Sequence, residues 1–355
     1  MVDSSIRTDA GIRTVTVRHG DSHYEVLVGP GVRRRLASVL PDTVGRVAIV
    51  TQERLDISID PVVPSRRFNI APGETAKSLE TVGGLASAFA HWGLRPSDAI
   101  VAVGGGVVID TAGFVAASMY GGMAIVHIPT TLLSQVDAAV GGRAAVNLPE
   151  GKNLLSVTHN PVAVLCDTDL LATLPERELR SGMGEIAKYH FLGDAKFDHA
   201  DELELPERIA RCIELKASLI GDPQRRLLLN YGHTLAHALE SAYEYDLRHG
   251  EAVAIGLAFA ARLAFRLSRI DIERVHMHDE VLLSYKLPIE LPSDAVAERL
   301  LSFMDRDRKA HVGLTFILDG PDGLQVVSGI ERHIVELALN DMPTSPGHSS
   351  DHTLL

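Results

Sequence analysis

The chain has 355 residues, of which 46% are hydrophobic and 23% charged, and this length exceeds what one hydrophobic core usually supports, so two compact domains are expected. Its 34 basic and 46 acidic side chains give a formal net charge of −12, which argues against a nucleic-acid partner but leaves a small anionic substrate open. The two cysteines lack CxxC spacing, and neither a signal-peptide core nor a membrane-length apolar run is present, so we expect a cytoplasmic protein without a disulfide scaffold or a membrane partner.

Short β-rich runs alternate with helical runs between about residues 24 and 128, a pattern typical of a parallel or mixed sheet covered by helices. Apolar runs predict strands at residues 24–29, 46–51, 99–106, 124–129 and 163–167. Apolar residues at helical spacing predict helices over residues 74–92 and 107–119. The GPG sequence at residues 29–31 is interpreted as a turn.

The β-rich runs largely stop after about residue 175. Helical spacing then predicts helices over residues 178–191, 206–220, 233–243 and 251–267. The pattern predicts an α/β nucleotide-binding domain over residues 1–170 and a helical domain over residues 171–342. Residues 343–355 are rich in Pro, Ser, Gly and His without periodicity, so they are predicted to be a disordered tail.

A glycine triplet follows one of the predicted strands, in the sequence GGGVVID at residues 104–110. Glycines such as Gly105 and Gly106 let backbone amides approach a pyrophosphate, and the start of the following helix adds a favourable dipole. The alternative is a tight turn that binds nothing, and the spacing departs from the GxGxxG pattern of dinucleotide-binding proteins.

Two polar segments flank this turn in the sequence. PGETAK at residues 72–77 places Glu74 and Lys77 near a helix start, where a first-turn acid and a solvated lysine are the more ordinary interpretation. Residues 129–153 concentrate turn-forming and charged side chains among apolar ones, which indicates a binding loop held by the α/β scaffold. A solvated surface loop would explain the charges in that segment but not its interleaved apolar residues.

The predicted helical domain carries a candidate metal set of Glu185, His233 and His249. A catalytic zinc site uses three His or carboxylate ligands and leaves one position open. His237 lies one helical turn after His233 and could ligate as well. A lone helical histidine is more often a packed residue, but several histidines with an acidic helix upstream favour a site.

Taken in order, eight motifs resemble the 3-dehydroquinate synthases and their sugar-phosphate cyclase relatives, over about residues 24–342. They read GGGVVIDTAGFVAA, PTTLLSQVDAAVGG, GKN, LCDTDLLATLP, GEIAKY, LNYGHTLAHALE, HGEAVAIG and RDRKAHVG. The resemblance implies a Rossmann-like NAD-binding domain followed by an all-α metal-binding domain. It also implies a homodimer that binds a small phosphorylated sugar-acid substrate.

The resemblance assigns roles to individual residues. Zinc, with cobalt as an alternative ion, would be bound by Glu185, His233 and His249. The residues implied around NAD are Glu74, Lys77, Gly105, Gly106, Asp110, Thr130, Thr131, Lys152 and Thr173. The residues implied at the substrate are Asp137, Asn153, Lys188, Lys216, Arg226, Asn230, His237, Arg308 and Lys309. Arg143, which departs from the family pattern, is a further candidate at the substrate.

The reaction of that family explains this combination of groups. NAD takes a hydride from a ring alcohol made acidic by zinc, and the resulting ketone acidifies the neighbouring carbon so that phosphate can leave. The hydride then returns, and ring opening with aldol closure gives the carbocycle. NAD is regenerated in each turnover. The reaction as a whole requires zinc, NAD and a cationic cluster that binds the phosphate.

The chain departs from the family pattern at several positions. Arg143 stands where a lysine is common, and Gly121 where an arginine that reaches the substrate phosphate of a partner subunit is frequent. Gln52 replaces a strand-end aspartate that is expected at the adenosine ribose. These departures and the residues within the motifs resemble an aminodehydroquinate synthase of 3-amino-5-hydroxybenzoate biosynthesis more than the housekeeping 3-dehydroquinate synthase of the shikimate pathway. Asn230 argues against cyclases that place an acidic residue there.

Three alternatives stay open on the sequence. Another sugar-phosphate cyclase would share most of the motifs. A metal-dependent polyol dehydrogenase of the glycerol type would share the two-domain plan, but it would leave the phosphate-binding residues His237, Lys152, Arg226 and Lys309 without a task. A degenerate, non-catalytic member of the family is the third possibility, and Gly121 and Arg143 are the features that support it.

Overall fold

The structure is a computed structural model that describes residues 6–19, 22–192, 203–243, 246–306 and 313–345. Packing divides the chain into two compact units. Unit 1 comprises residues 1–182 and 199–222, and unit 2 comprises residues 183–198 and 223–355. The functional domain boundary predicted after residue 170 remains a prediction.

A sheet with eight described strands forms the centre of unit 1. Its strands are β1 (Ile6–Asp9), β2 (Ile12–His19), β3 (Ser22–Gly29), β4 (Val47–Gln52), β5 (Ser65–Ile70), β6 (Ala99–Gly104), β7 (Ala124–Pro129) and β10 (Ala163–Asp167). Between β7 and β10 in the sequence, β8 (Arg143–Leu148) and β9 (Gly151–Thr158) form a separate hairpin. The spatial order is β1-β2-β3-β10-β7-β6-β4-β5, parallel from β3 to β5 and antiparallel at β1 and β2.

Helices cover this sheet, as strands buried on both faces require. The helices of unit 1 are α1 (Leu36–Val39), α2 (Leu79–Trp92), α3 (Gly106–Ser118), the first part of α4 (Glu176–His190) and α5 (Leu205–Ile220). β6 is buried along its whole length, and an apolar core that includes Val101, Val126 and Leu165 lies against one face of the sheet. Helix α5 is fastened to β2 by the ion pair of Arg13 with Glu207.

Unit 2 is mainly helical. Its elements are the second part of α4, α6 (His233–Ala242), α7 (His249–Arg266), α8 (Ile272–Ser284), α9 (Ala297–Arg306), the hairpin of β11 (Leu314–Leu318) and β12 (Gln325–Ile330), and α10 (Arg332–Asn340). Helix α7 is buried from Gly250 to Ala261, which makes it the central helix of the unit. This continuous burial explains why the helix is apolar on all faces over that stretch.

The predicted strands and helices occur close to their predicted positions, and the fold class, an α/β sheet domain with a helical second domain, is confirmed. The segment 129–153, interpreted as a loop, instead contains a short π-type turn at Ser134–Ala138 and most of the β8–β9 hairpin. The helix predicted from residue 74 begins at Leu79, because the Ser78 hydroxyl accepts a hydrogen bond from the Thr81 amide and caps it there.

Two further differences concern unit 2. The β11–β12 hairpin was not predicted in a domain expected to be all-α. In the predicted tail, whose disorder remains a prediction, backbone hydrogen bonds pair Pro343 and Ser345 with Leu291. The rest of that tail, residues 346–355, lies outside the described residues. No helix in the described part of the chain combines the length and apolar character needed to span a membrane.

Candidate active site

The carboxyl ends of the parallel strands in unit 1 form the first part of the candidate site. From β4 the chain moves outward to β5, whereas from β6 it moves in the opposite direction to β7. Open α/β sheets bind ligands at such a reversal of direction, outside the carboxyl ends of the strands. The reversal lies between β4, which ends at Gln52, and β6, which ends at Gly104.

The glycine triplet occupies this position and turns the chain from β6 into α3. No side chain caps α3, whose N-cap residue is Gly105. A Cβ atom added at Gly105 would lie 3.2 Å from the Thr131 methyl group, so the turn has little room for a side chain. An uncapped helix start beside a bare backbone suits the pyrophosphate of a dinucleotide.

Lys77 connects several of the residues assigned to NAD and substrate. Its ammonium forms an ion pair with the Asp110 carboxylate and donates a hydrogen bond to the Asn153 side chain. Lys77 is 5% exposed, so burial strengthens both contacts. Lys77, Asp110 and Asn153 therefore form one connected polar group, the Lys77 group, which the interpretation of Lys77 as an ordinary surface residue did not anticipate.

Asn147 links this group together, although it was not among the predicted site residues. Its side-chain amide donates to a Glu74 carboxylate oxygen at 2.9 Å, and its side-chain oxygen accepts the Asn153 amide at 2.9 Å. Its backbone amide donates to the Lys77 carbonyl at 2.8 Å. Its position six residues before Asn153, in the β8–β9 hairpin, becomes meaningful only once the hairpin is known.

The charge of Asp110 depends on its neighbours. Burial raises the pKa of Asp110, whereas the Lys77 ammonium and, more weakly, the Arg143 guanidinium lower it. Arg143 is thus within electrostatic range of Asp110, yet its own side chain is exposed at the start of β8. This exposure leaves the guanidinium accessible to a ligand.

The remaining residues assigned to NAD are more dispersed within unit 1. Thr130 and Thr131 follow the end of β7, and the Thr130 amide donates to the Gly104 carbonyl at 3.0 Å. Thr131 and Ser134 exchange hydrogen bonds that fix the turn after β7. Lys152 lies on β9, and Thr173 is exposed at the end of a short 3₁₀ helix. The structure does not join Thr173 to the Lys77 group.

Asp137 and Lys216 form a second polar pair in unit 1. The Lys216 ammonium lies 2.6 Å from both the side-chain Oδ1 and the backbone oxygen of Asp137. Lys216 is 8% exposed and comes from α5. Both residues were assigned to the substrate, and the structure brings them into direct contact.

The candidate metal site lies in unit 2, where Glu185, His233 and His249 converge. One potential ligand atom from each lies within 4.8 Å of the other two. The Nε2 atoms of His233 and His249 are both 3.3 Å from Glu185 Oε1. Tetrahedral zinc with bonds of about 2.1 Å would place its ligand atoms roughly 3.4 Å apart, so the donor set fits zinc.

Glycines allow the helices that carry these ligands to approach closely. Gly184 precedes Glu185 on α4, and a Cβ atom there would overlap the carbonyl oxygen of Gly250, the residue after His249. A Cβ at Gly256 on α7 would overlap the carbonyl oxygen of Gly232, the residue before His233. Each ligand is therefore next to a backbone contact that only glycine permits.

Electrostatics keeps the Glu185 carboxylate charged despite complete burial. Burial raises the pKa of Glu185, but the Lys188 ammonium, 2.5 Å away, and the two imidazoles outweigh it and hold the pKa well below its usual range. Among the described residues, neither oxygen of Glu185 has a hydrogen-bond donor in acceptable geometry, although the Lys188 ammonium and the two imidazoles lie close to it. A buried carboxylate in this state is suited to binding a cation.

His249 lies between two carboxylates. Burial lowers the pKa of His249, but the neighbouring carboxylates of Glu185 and Glu240 outweigh that effect and raise it to about 10. A cation in the site would replace the imidazole proton at Nε2, because zinc binds the neutral ring.

The other substrate candidates of unit 2 have different environments. Lys188 is buried and donates to the Leu229 carbonyl at 3.0 Å in addition to pairing with Glu185. Asn230 donates to the Leu227 carbonyl at 3.0 Å, and Arg226 is exposed in the same 3₁₀ helix. The exposed His237 ring lies 5.6 Å from the ring of His233. Arg308 and Lys309 lie outside the described residues.

Comparison with known families agrees with the fold. The family model for the 3-dehydroquinate synthase N-terminal domain matches residues 67–181, and the model for the C-terminal domain matches residues 182–310. A relative from Amycolatopsis mediterranei (strain S699), whose name of aminodehydroquinate synthase is provisional, is 46% identical over 93% of this chain and 95% of its own. The 3-dehydroquinate synthase of Mycobacterium leprae (strain TN) is 38% identical over 84% of this chain and 90% of its own.

Solved structures give the same result. A 2-deoxy-scyllo-inosose synthase complexed with carbaglucose-6-phosphate, NAD⁺ and Co²⁺ has a TM-score of 0.85 at 26% identity, covering 93% of this chain and 100% of that one. The 2-epi-5-epi-valiolone synthase of Streptomyces hygroscopicus subsp. jinggangensis 5008, with NAD⁺ and Zn²⁺ bound, has a TM-score of 0.75 at 25% identity, covering 91% and 97%. The chain therefore belongs to the 3-dehydroquinate synthase family, and it is an enzyme of the phosphate-eliminating carbon–oxygen lyase class.

Proposed function

We propose that this enzyme converts a heptulosonate 7-phosphate into a dehydroquinate with elimination of phosphate, using one zinc ion and a catalytic NAD. The substrate would be 3-deoxy-arabino-heptulosonate 7-phosphate or its amino analogue. The single observation that carries the proposal is the convergence of Glu185, His233 and His249 at zinc-ligand separations. A three-ligand site leaves a position for substrate hydroxyl groups.

The metal half of the chemistry depends on residues of unit 2. Zinc bound by Glu185, His233 and His249 would supply Lewis-acid stabilisation of a ring oxygen as that oxygen loses its proton. Lys188 maintains the charge of Glu185, and its buried ammonium lies beside the candidate ligands. The exposed His237 and Arg226 are candidate phosphate ligands, because both can donate hydrogen bonds to an anion.

The redox half depends on residues of unit 1. NAD bound over the Gly104 to Asp110 turn would accept and return one hydride. Gly105 and the uncapped start of α3 provide backbone amides for its pyrophosphate. The Lys77 group orients Asp110 and Asn153, and the Lys216 ammonium neutralises and holds Asp137.

The amino analogue is the favoured substrate. The support is the 46% identity to the provisionally named aminodehydroquinate synthase, against 38% to the Mycobacterium leprae 3-dehydroquinate synthase. The same proposal includes that the enzyme acts in an aminoshikimate pathway, forms a homodimer and is cytoplasmic. Another sugar-phosphate cyclase activity is the main alternative, since a 2-deoxy-scyllo-inosose synthase has the same fold.

Metal analysis combined with turnover tests this proposal. The purified protein should contain one zinc per chain and release phosphate faster from the amino substrate than from the oxygen analogue. The His249→Ala variant should lose both the zinc and the phosphate release, because two ligands alone hold zinc weakly. Full zinc occupancy in His249→Ala would show that the metal site is wrongly assigned. Release of phosphate from glucose 6-phosphate, but from neither heptulosonate, would favour the alternative sugar-phosphate cyclase activity.

A further inference from the structure

The two metal-site histidines use equivalent nitrogens toward Glu185 but have different partners on their other nitrogens. His233 Nδ1 lies 3.0 Å from the Tyr231 backbone carbonyl, and His249 Nδ1 lies 3.4 Å from Glu240 Oε1. A carbonyl and a carboxylate both accept hydrogen bonds. Each Nδ1 must therefore carry a proton, so Nε2 is the nitrogen of each ring that a cation can bind.

Glu240 is placed to act on the metal through His249. The Glu240 side chain is 8% exposed, and it is located on α6, whereas His249 begins α7. It follows His233 by seven residues on α6, so the two residues lie on the same face of that helix. One helix thus supplies both a candidate ligand and the carboxylate behind another ligand.

We infer that Glu240 is a positioning residue for the metal: it fixes the tautomer and ring orientation of His249 and makes Nε2 a stronger donor to zinc. This inference rests on the proposed zinc site. Carboxylates behind zinc-bound histidines act in this way in other proteins, and their loss typically weakens metal affinity by about 10–100-fold. A carbonyl partner, as behind His233, orients the ring without adding a full negative charge.

The difference between the two histidines has a functional consequence. The metal would receive charge from the Glu185 carboxylate directly and from Glu240 through the His249 ring. Added donor strength on the metal tightens its binding and reduces its acidity toward a bound hydroxyl. Glu240 therefore contributes to retention of the metal at the expense of Lewis acidity.

Zinc affinity provides the test. The dissociation constant of the whole protein for zinc would be measured by competition with a chromogenic chelator for the parent, Glu240→Gln and Asp279→Asn. Glu240→Gln preserves the shape of the side chain and removes its charge, and we expect about 10–100-fold weaker binding. Asp279→Asn is the matched control, because it also removes a partly buried carboxylate of unit 2, one that pairs with Arg262, and should bind zinc like the parent.

Two results would overturn the inference while leaving the zinc site intact. One is a Glu240→Gln affinity equal to that of the parent. The other comes from ¹⁵N spectra of the zinc-loaded parent, which need no variant: they should show a proton on His249 Nδ1 and metal on Nε2, and the reverse assignment contradicts the role of Glu240. Failure of the parent itself to bind zinc would instead overturn the proposed function.

Discussion

The Lys216 ammonium contacts Asp137 through both its carboxylate and its backbone oxygen, each at 2.6 Å. These residues are 79 positions apart in the sequence, and Lys216 comes from a helix that sequence patterns assigned to the helical domain. Packing places that helix in unit 1. The contact explains how a lysine distant in sequence can set the position of an acidic residue in the turn after β7.

Replacement of Gly184 tests the close helix contact beside the metal site. Gly184→Ala would force α4 away from the Gly250 backbone, so we expect a loss of stability of about 1–3 kcal/mol and a large loss of zinc affinity. Gly84→Ala in α2 is the control, because a Cβ there meets nothing within 4 Å and should be neutral or stabilising. Urea unfolding and zinc titration measure both effects. Normal zinc affinity in Gly184→Ala would contradict this account of the site.

Gly105→Val tests the dinucleotide position. The added side chain would press against Thr131 and cover the backbone amides at the start of α3, so the dissociation constant for NAD should rise at least about tenfold. Zinc content should be unchanged, since the metal ligands belong to unit 2. Titration calorimetry with NAD and metal analysis give the two readouts. Parent-like NAD binding would place the cofactor elsewhere.

Arg143→Lys tests whether Arg143 compensates for the arginine absent at Gly121. The substitution preserves charge near Asp110 but replaces a planar fork by a single ammonium. One charged hydrogen bond contributes about 1.5–3 kcal/mol, so the KM for the phosphorylated substrate should rise at least about tenfold, with lower turnover. Steady-state kinetics of Arg143→Lys and Arg143→Ala decide the matter: if both match the parent, Arg143 does not bind phosphate.

His278 should make stability depend on pH. Its Nδ1 donates to the Arg274 carbonyl at 2.8 Å and its Nε2 accepts the Tyr231 hydroxyl at 2.9 Å, so the neutral ring is favoured. Burial lowers the pKa of His278 to about 4, and the hydrogen bond to the Arg274 carbonyl and the charges of Asp319 and Asp279 oppose this only in part. Below the unfolded pKa of about 6.5 the unfolded chain binds the extra proton, so stability is lost as the pH falls from about 6.5 to about 4.

The pH dependence is measured by urea unfolding of the metal-free protein at several pH values. The parent should lose up to about 1.4 kcal/mol per pH unit within that window from this group. His278→Gln should be less stable at neutral pH, because the Tyr231 hydroxyl loses its partner, but it should show a correspondingly smaller slope. Parallel curves for the two proteins would exclude His278 as the source.

The glycine turn and the convergence of the three candidate metal-binding residues could be predicted from the sequence because each of these residues lies within a short motif. Residues 104–110 link a strand to a helix with local glycines, and His233 and His249 are located at helix starts. The strands β4, β6, β7 and β10 were predicted for a similar reason, since buried parallel strands are continuous apolar runs.

Contacts between distant segments could not be predicted in the same way. The role of Asn147 depends on the pairing of β8 with β9, whose polar, turn-rich sequence resembles a loop. The edge strands β1 and β5, and β2 next to β1, carry many polar residues and therefore lack the apolar signal. Glu240 had a detectable signal, its seven-residue spacing from His233, but only the start of α7 reveals which ring it contacts.

The most direct test of the central claim is the balance between phosphate, NADH and product in one incubation. The NAD- and zinc-loaded enzyme would receive 3-deoxy-arabino-heptulosonate 7-phosphate or its amino analogue, with phosphate release, NADH absorbance and product mass followed together. We expect many equivalents of phosphate and of a cyclic dehydroquinate or aminodehydroquinate per enzyme, while NADH never exceeds the enzyme concentration. Accumulation of NADH in step with substrate consumption, without phosphate release, would contradict it and indicate a polyol dehydrogenase.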